Sequence, residues 1–476
     1  MRAVAPLAAI AAALLMAQSP APPADDLKTS VEDGYRGIWY MNQPTKDEHR
    51  YKYSGGFGTY PQWHAPFAIY APAVRKTFFV YGGSGGNVSE KGDTLTHMVS
   101  YYDHRTGTVP RPVRILHKMT EDAHDNPTIS IDAKGHIYVF SAAHGTSRPA
   151  YIWRSRRPYD IARWELLAKT NFSYTQPWFF TGANQFLFMH TLYKGGQRTL
   201  NFKTSPDARS WTAPRLLAHI EMGDYQITWP NGEKLGTAFD MHPASGRGKG
   251  LNYRTNIYYV ETSDLGKTWQ TAGGETVKLP LTKAANAALV HDYNTKNLNV
   301  YLKDLAYDRQ GRPVIVYLTS KGWEPGEGSG PYQWYTARWD GGKWVRLPVT
   351  TSDHNYDHGS MTIERDGTWR LVAPTDAGPQ PWGTGGDMVM WTSKDEGRTW
   401  TRAATLTGGG EYNHTYARKV VNANPEFWMI WADGSPLKPT ESRLYFATRD
   451  GKVYRLPAKM DGLTAKPERV SGPTVQ

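Results

Sequence analysis

The sequence predicts an all-β chain folded as a seven-bladed β-propeller. Three observations carry that prediction. A turn of the form Ser-x-Asp-x-Gly-x-Thr-Trp recurs as TSDLGKTW (262–269), TSKDEGRTW (392–400) and, in degenerate form, TSPDARSW (204–211), with WDGGKW (339–344) as an eroded copy. A hairpin turn of Asp-x-x-Gly or Asp-Gly before an aromatic strand recurs at 132–135, 308–311, 366–367 and 450–451. Together they divide the chain into units of roughly 45–55 residues, each with room for four short strands, which is a propeller period.

In chain order, residues 1–24 come first. One Arg precedes an apolar run from Ala3 to Met16, then small residues and Pro, which is the pattern of a signal peptide cleaved between residues 17 and 24. The run is too short to span a bilayer. A secreted or periplasmic protein is expected, with residues 25–476 forming a single β-propeller catalytic domain. The segment GYRGIWY (34–40) reads as an alternating strand left outside the units. It is expected to pair with the last unit, closing the ring and removing an exposed edge. Seven units follow, at about 66–118, 124–168, 174–219, 223–280, 295–348, 356–404 and 412–457. In the recurring turns the Asp caps amides, the Gly takes a positive φ, and the Trp is expected to pack under the next strand.

Composition agrees. The chain has 476 residues, 39% of them hydrophobic, enough for a packed core. The absence of cysteine excludes disulfides and thiolate metal sites. A formal charge of +11 favours an anionic partner or serves solubility alone. Neither a nucleic-acid nor a membrane partner is expected, and the chain reads as a monomer.

Antiparallel connectivity puts the loop entering strand 1 and the loop joining strands 2 and 3 on one face of a blade. In HDNPTISIDAKGHIYVFSAAHG (124–145), His124 precedes strand 1 and His144 ends strand 2. Both imidazoles are therefore expected at one cavity. The next blade repeats the placement with Tyr174 and Tyr193, and the fourth with His242. Arg198 and Arg254 open strand 3 of those blades in equivalent fashion. His124, His144, Tyr174, Tyr193, Arg198, His242 and Arg254 thus converge, with His358 and His414 within reach from later blades. Arg209 falls on the opposite face with a structural role.

This cluster is rich in His, Tyr and Arg and poor in carboxylates. Most glycoside hydrolases need a carboxylate pair; Asp125 and Asp240 lie near, but Asp125 reads as a turn cap. The set suits β-elimination from a uronic acid. There Arg or His neutralises the sugar carboxylate, one group removes the C5 proton and another protonates the departing O4. An acidic polysaccharide is the partner this implies.

The segments DGYRGIWY, YKYSGGFGTYPQWHAP, KTFFVYGG, HDNPTISID with GHIYVFSAAHG, and LNYRTNIYYVETSDLGKTW resemble secreted BNR-repeat propellers that include ulvan lyases, over about residues 33–456. Rhamnose-glucuronate lyases and a rhamnosidase family share that propeller. The resemblance implies a polysaccharide lyase with His124, His144, Tyr193 and Arg198 as catalytic residues. Tyr174 is the rival tyrosine, and it joins Arg254 and His242 on the substrate-binding side. One His would neutralise the carboxylate while the other shares proton transfer with Tyr. No cofactor is required. The metal content is open: without cysteine ligands, a structural calcium or no metal is expected. The rhamnosidase relatives imply an alternative, an α-L-rhamnosidase acting through His64 on the opposite face. A glycan-binding propeller without catalysis is a third reading.

Overall fold

The computed structural model describes residues 25–42, 52–58, 64–86, 94–244 and 252–470. The leader expected at 1–24 lies outside them. Five separate four-stranded antiparallel sheets, and one ten-stranded sheet that joins the first and last blades, give seven four-stranded units with strands paired in sequence order, as a seven-bladed propeller requires. The first strands of successive blades are Ala68–Ala71, Pro127–Ile131, Ser173–Phe180, Gln226–Asn231, Asn299–Tyr307, Ser360–Ile363 and Asn413–Asn424. Blades 1 and 7 meet through a single parallel bridge, Ile69 to Val421. Two short strands cover outer edges: Ser30–Val31 on blade 1 and Glu468–Val470 on blade 7.

The core is a set of apolar layers between adjacent blades. Phe140, Phe186 and Phe188 fill the layer between blades 2 and 3. Leu200, Phe202, Phe239 and Tyr258 fill the one between blades 3 and 4. A sheet buried on both faces needs apolar residues in both registers, so the second strand of blade 2, IYVFS, is buried throughout instead of alternating.

The capped turns form as expected on the face opposite the histidines. In the fourth blade the Asp264 carboxylate accepts hydrogen bonds from the Thr268 amide at 2.9 Å and the Thr268 hydroxyl at 2.6 Å. Two of the turn tryptophans reach back to the preceding blade: Trp211 packs on Phe140 and Trp269 on Phe202. Trp400 stays against Trp369 of its own blade. Asp264→Ala is expected to lower stability by about 1–3 kcal/mol, the value of a few hydrogen bonds to a charged group. A lower denaturation midpoint with the same slope would show it.

Two boundaries differ from expectation. The fourth blade does not end near residue 280; its outer strand is Leu289–His291, after a long connection that carries bridges of its own from Gln270 to Glu261 and Thr276. The 34–40 segment is not a strand added to the last blade. It is a strap wedged between the last and first blades, touching each by one bridge, Gly37 to Ser442 and Gly37 to Gly83. A Cβ at Gly37 would lie 2.9 Å from both Leu444 Cδ2 and Ser442 Oγ, so the gap admits only glycine without a shift.

Candidate active site

The hairpin of blade 2 sets the site. Pro127–Ile131 and Ile137–Ser141 pair in register. Their turn is closed by Asp132, whose Oδ1 accepts the amides of Lys134 at 2.9 Å and His136 at 2.8 Å, with Gly135 at φ 85°. At the open end, His124 lies in a one-turn 3-10 helix before the first strand and His144 follows the second. The imidazoles stack, centroids 4.1 Å apart and planes 15° from parallel.

Asp122 holds this pair. Its Oδ1 accepts the His124 amide at 3.0 Å and His124 Nδ1–H at 2.6 Å. Its Oδ2 accepts His144 Nδ1–H at 2.9 Å and an Arg148 N–H at 3.0 Å. A carboxylate only accepts, so both rings carry their proton on Nδ1 and turn Nε2 away from Asp122. Burial acts to raise the Asp122 pKa, but the two histidines outweigh it and hold the carboxyl well below the usual range. Burial, then the neighbouring His144, lowers His124 below the ordinary histidine range. His124 is nearly enclosed, whereas the His144 side chain is 34% exposed and forms the open side of the stack. Asp125 is not the turn cap it was expected to be: Asp122 caps that turn, and the fully buried Asp125 pairs with Arg148 at 2.8 Å and Lys118 at 3.2 Å.

Blade 3 supplies the phenols. Tyr193 lies edge-on to His144 at 5.8 Å, and Tyr174 lies 6.0 Å from His124. Tyr174 sits at φ 48° where the strand register shifts between Ser173 and Gln176. A non-glycine residue there stores strain, which the packing around the ring must hold. Tyr193 is half-buried; burial pushes its phenol well above the ordinary tyrosine range, with Tyr225 adding to the rise and Arg198 opposing it. Arg198 is the direct cross-strand partner of Tyr193.

Beneath the phenols Tyr225 organises the floor. It meets Tyr174 edge-on at 5.3 Å and His242 at 4.9 Å. The guanidiniums of Arg198 and Arg254 lie 4.4 Å and 4.9 Å from its ring centroid. The expected convergence of blades 2, 3 and 4 is therefore present. One part is corrected: Arg254, His242, Tyr174 and Arg198 are 0%, 0%, 1% and 4% exposed, so they wall the site from below and do not face solvent. Burial raises Asp240 to about 7, against the pull of Arg254, and its Oδ1 accepts the Tyr225 amide at 2.9 Å.

The remaining histidines separate. His358 stacks on Tyr416 at 5.2 Å and lies 6.4 Å from Tyr356, a ring that Arg254 also contacts at 5.4 Å. His414 takes the Trp431 indole N–H on Nδ1 at 3.1 Å and does not join the cluster. His64 is fully buried, 5.6 Å from the Tyr174 ring, with Nε2 3.0 Å from the His124 carbonyl. It therefore packs behind the imidazole pair, and it also lines a small cavity with Trp229 and Lys419, which wall the opposite face as well. That face has a cavity of about 1040 Å³, with Trp229, Tyr307 and Lys419 among its walls and no imidazole. Its carboxylates are engaged, Glu364 by Arg370 at 2.6 Å and Asp366 by the Thr368 amide at 2.8 Å. Arg209 lies in its turn and pairs with Glu165 at 2.7 Å, as expected of a structural residue.

Asp122, His124 and His144 bring ligand atoms within 4.8 Å of one another. They do not fit the calcium expected of a structural site. Calcium takes six to eight oxygens, whereas this group offers one carboxylate and two ring nitrogens, both already donating to it. No described helix is long and apolar enough to cross a membrane.

Sequence reasoning missed Asp122, Arg148 and Tyr225. Tyr225 was within reach, because GDYQIT opens blade 4 as FSYTQP opens blade 3. Asp122 lies two residues before the hairpin motif, and only the side-chain geometry marks it.

A profile described as "BNR repeat-containing family member" matches residues 96–352. The chain is 25% identical over 374 residues to an "Ulvan lyase" of Alteromonas sp. (strain LOR), covering 70% of this chain and 73% of that one. It is 26% identical over 428 residues to "Ulvan Lyase-PL25" of Pseudoalteromonas sp. (strain PLSV), covering 80% and 83%. The solved structure of a polysaccharide lyase PL25 ulvan lyase superposes with a TM-score of 0.65 at 18% identity, over 88% of this chain and 96% of that one. The same lyase bound to -[GlcA(1-4)Rha3S]- gives 0.64 at 18% identity, with the same coverage. At that identity the structures establish a shared fold.

Proposed function

We propose that this chain, which belongs to the BNR repeat-containing family, is a polysaccharide lyase that cleaves a rhamnose–uronate linkage in an acidic glycan, with ulvan the first candidate. The observation that carries the reading is the imidazole stack bridged by Asp122, its partly exposed His144 ring edge-on to Tyr193. The names of the two curated relatives and the bound uronate–rhamnose sulfate chain of the solved lyase support the substrate class.

In β-elimination a base takes the C5 proton, the C5–H electrons form the C4–C5 double bond, and the C4–O4 bond breaks as O4 gains a proton. His144 is the base in this reading. Its Nδ1–H is committed to Asp122, which leaves the lone pair on Nε2. Tyr193 is the acid, because a phenol with a raised pKa arrives protonated. The Arg198 and Arg254 guanidiniums, both buried against Tyr225, supply the positive charge that offsets the uronate carboxylate as the enolate-like transition state forms. A retained C5 proton would otherwise be too weakly acidic for an imidazole to remove.

Incubation with ulvan is expected to yield new reducing ends together with the ultraviolet absorbance of an unsaturated uronate. Sugar release without that absorbance would assign a hydrolase. Binding without new reducing ends would assign a glycan-binding propeller.

A further inference from the structure

Farther along the same face, between blades 4 and 5, lies a second cleft of about 180 Å³. Pro243 and Thr255 form its near wall, and they are the chain neighbours of His242 and Arg254. The cleft therefore begins where the floor of the imidazole site ends. Tyr253, Asn297, Asn299 and Lys321 are among its other walls. At ~30 Å³ per water it holds about six waters, the scale of one pyranose unit.

The chemistry of these walls points to one kind of ligand. Among the described residues they carry amides, a phenol and an ammonium, and no carboxylate. Asn299 is 6% exposed, and its side-chain nitrogen has no acceptor among the described residues. A buried N–H without an acceptor is costly, and an arriving oxygen removes the cost. The Lys321 ammonium is exposed and makes no ion pair among the described residues. Donors and positive charge without a carboxylate select an oxyanion carried on a sugar.

We propose that this cleft is a subsite for an anionic sugar unit of the same glycan, a sulfate ester or a carboxylate, next to the unit cleaved at His144. The proposal rests on the lyase reading for its substrate and reads out independently of it. Lys321 is the specificity determinant, and Asn299 supplies the buried donor.

The test is calorimetric binding of an ulvan tetrasaccharide to the whole protein, in its native, desulfated and carboxyl-reduced forms. Lys321→Ala is expected to weaken binding of the native tetrasaccharide about tenfold or more, the loss of one charge-assisted hydrogen bond, with Lys321→Arg restoring most of it. The form on which the wild type and Lys321→Ala become equal identifies the anion, sulfate or carboxylate. Equal affinity of the two proteins for the native form overturns the proposal, even where the wild type produces unsaturated uronate. A wild type that binds with this Lys321 dependence yet forms no unsaturated product leaves the subsite standing and refutes the lyase.

Discussion

Asp122→Asn is expected to lower turnover on ulvan by about 10²–10⁴, the range that general acid–base catalysis contributes, while the propeller stays folded. The argument is one of tautomers. The wild-type carboxylate accepts on both oxygens, so each imidazole must keep its proton on Nδ1. An asparagine presents one oxygen and one NH₂. With the oxygen toward His124 and its amide, the NH₂ faces His144 Nδ1–H and the Arg148 guanidinium, donor against donor. His144 can relieve that only by moving its proton to Nε2, the atom that must take the C5 proton. A serine-protease triad loses a similar factor when its carboxylate becomes an amide, for the same reason.

A second readout separates this role from simple support of the loop. The Asp122 carboxylate raises the pKa of His124 against the effect of burial. Removing the negative charge lowers that pKa further, so His124 stays neutral to lower pH. The acid limb of the residual activity should move to lower pH in Asp122→Asn. An unchanged acid limb, with only a reduced melting temperature, would make Asp122 a turn cap and nothing more.

What the sequence disclosed, and what it withheld, follows the range of the interactions. The capped turns at Asp264 and Asp395 are closed by residues within five positions, so their repeat is visible in a local pattern. Seven blades and a common face for His124 and His144 follow from that repeat by connectivity alone. The strap at Gly37 was misread because its partners, Gly83 and Ser442, are far away in sequence and only alternation was visible. The end of blade 4 was misplaced because an insertion with turns of its own precedes the outer strand. Within the site, residue type at a strand end was legible, but depth was not. Arg254 and Arg198 begin equivalent strands, and both guanidiniums turn inward, Arg254 against Tyr225, Tyr301 and Tyr356 and Arg198 against Tyr225. The role of Asp122 depends on bonds to rings two and twenty-two residues away, which no strand pattern encodes.

Tyr193→Phe is the sharper test of the chemistry, because it removes one oxygen and little else. The ring that packs edge-on against His144 is kept, so the imidazole stack should be undisturbed. If the phenol delivers the proton to O4, turnover falls by about 10²–10⁴, and KM changes far less. The pH profile carries the sign. Burial raises the Tyr193 pKa, so the protonated acid persists through the range near pH 10 where an ordinary tyrosine ionises. Wild-type activity should therefore show no alkaline limb below about pH 10. A phenol acting as the base would need to be ionised, and activity would then climb steeply with alkali. Loss of turnover in Tyr193→Phe with a flat alkaline arm in the wild type assigns the acid to Tyr193. A steep alkaline rise that vanishes in the variant exchanges the roles, with Tyr193 removing the C5 proton and His144 protonating O4.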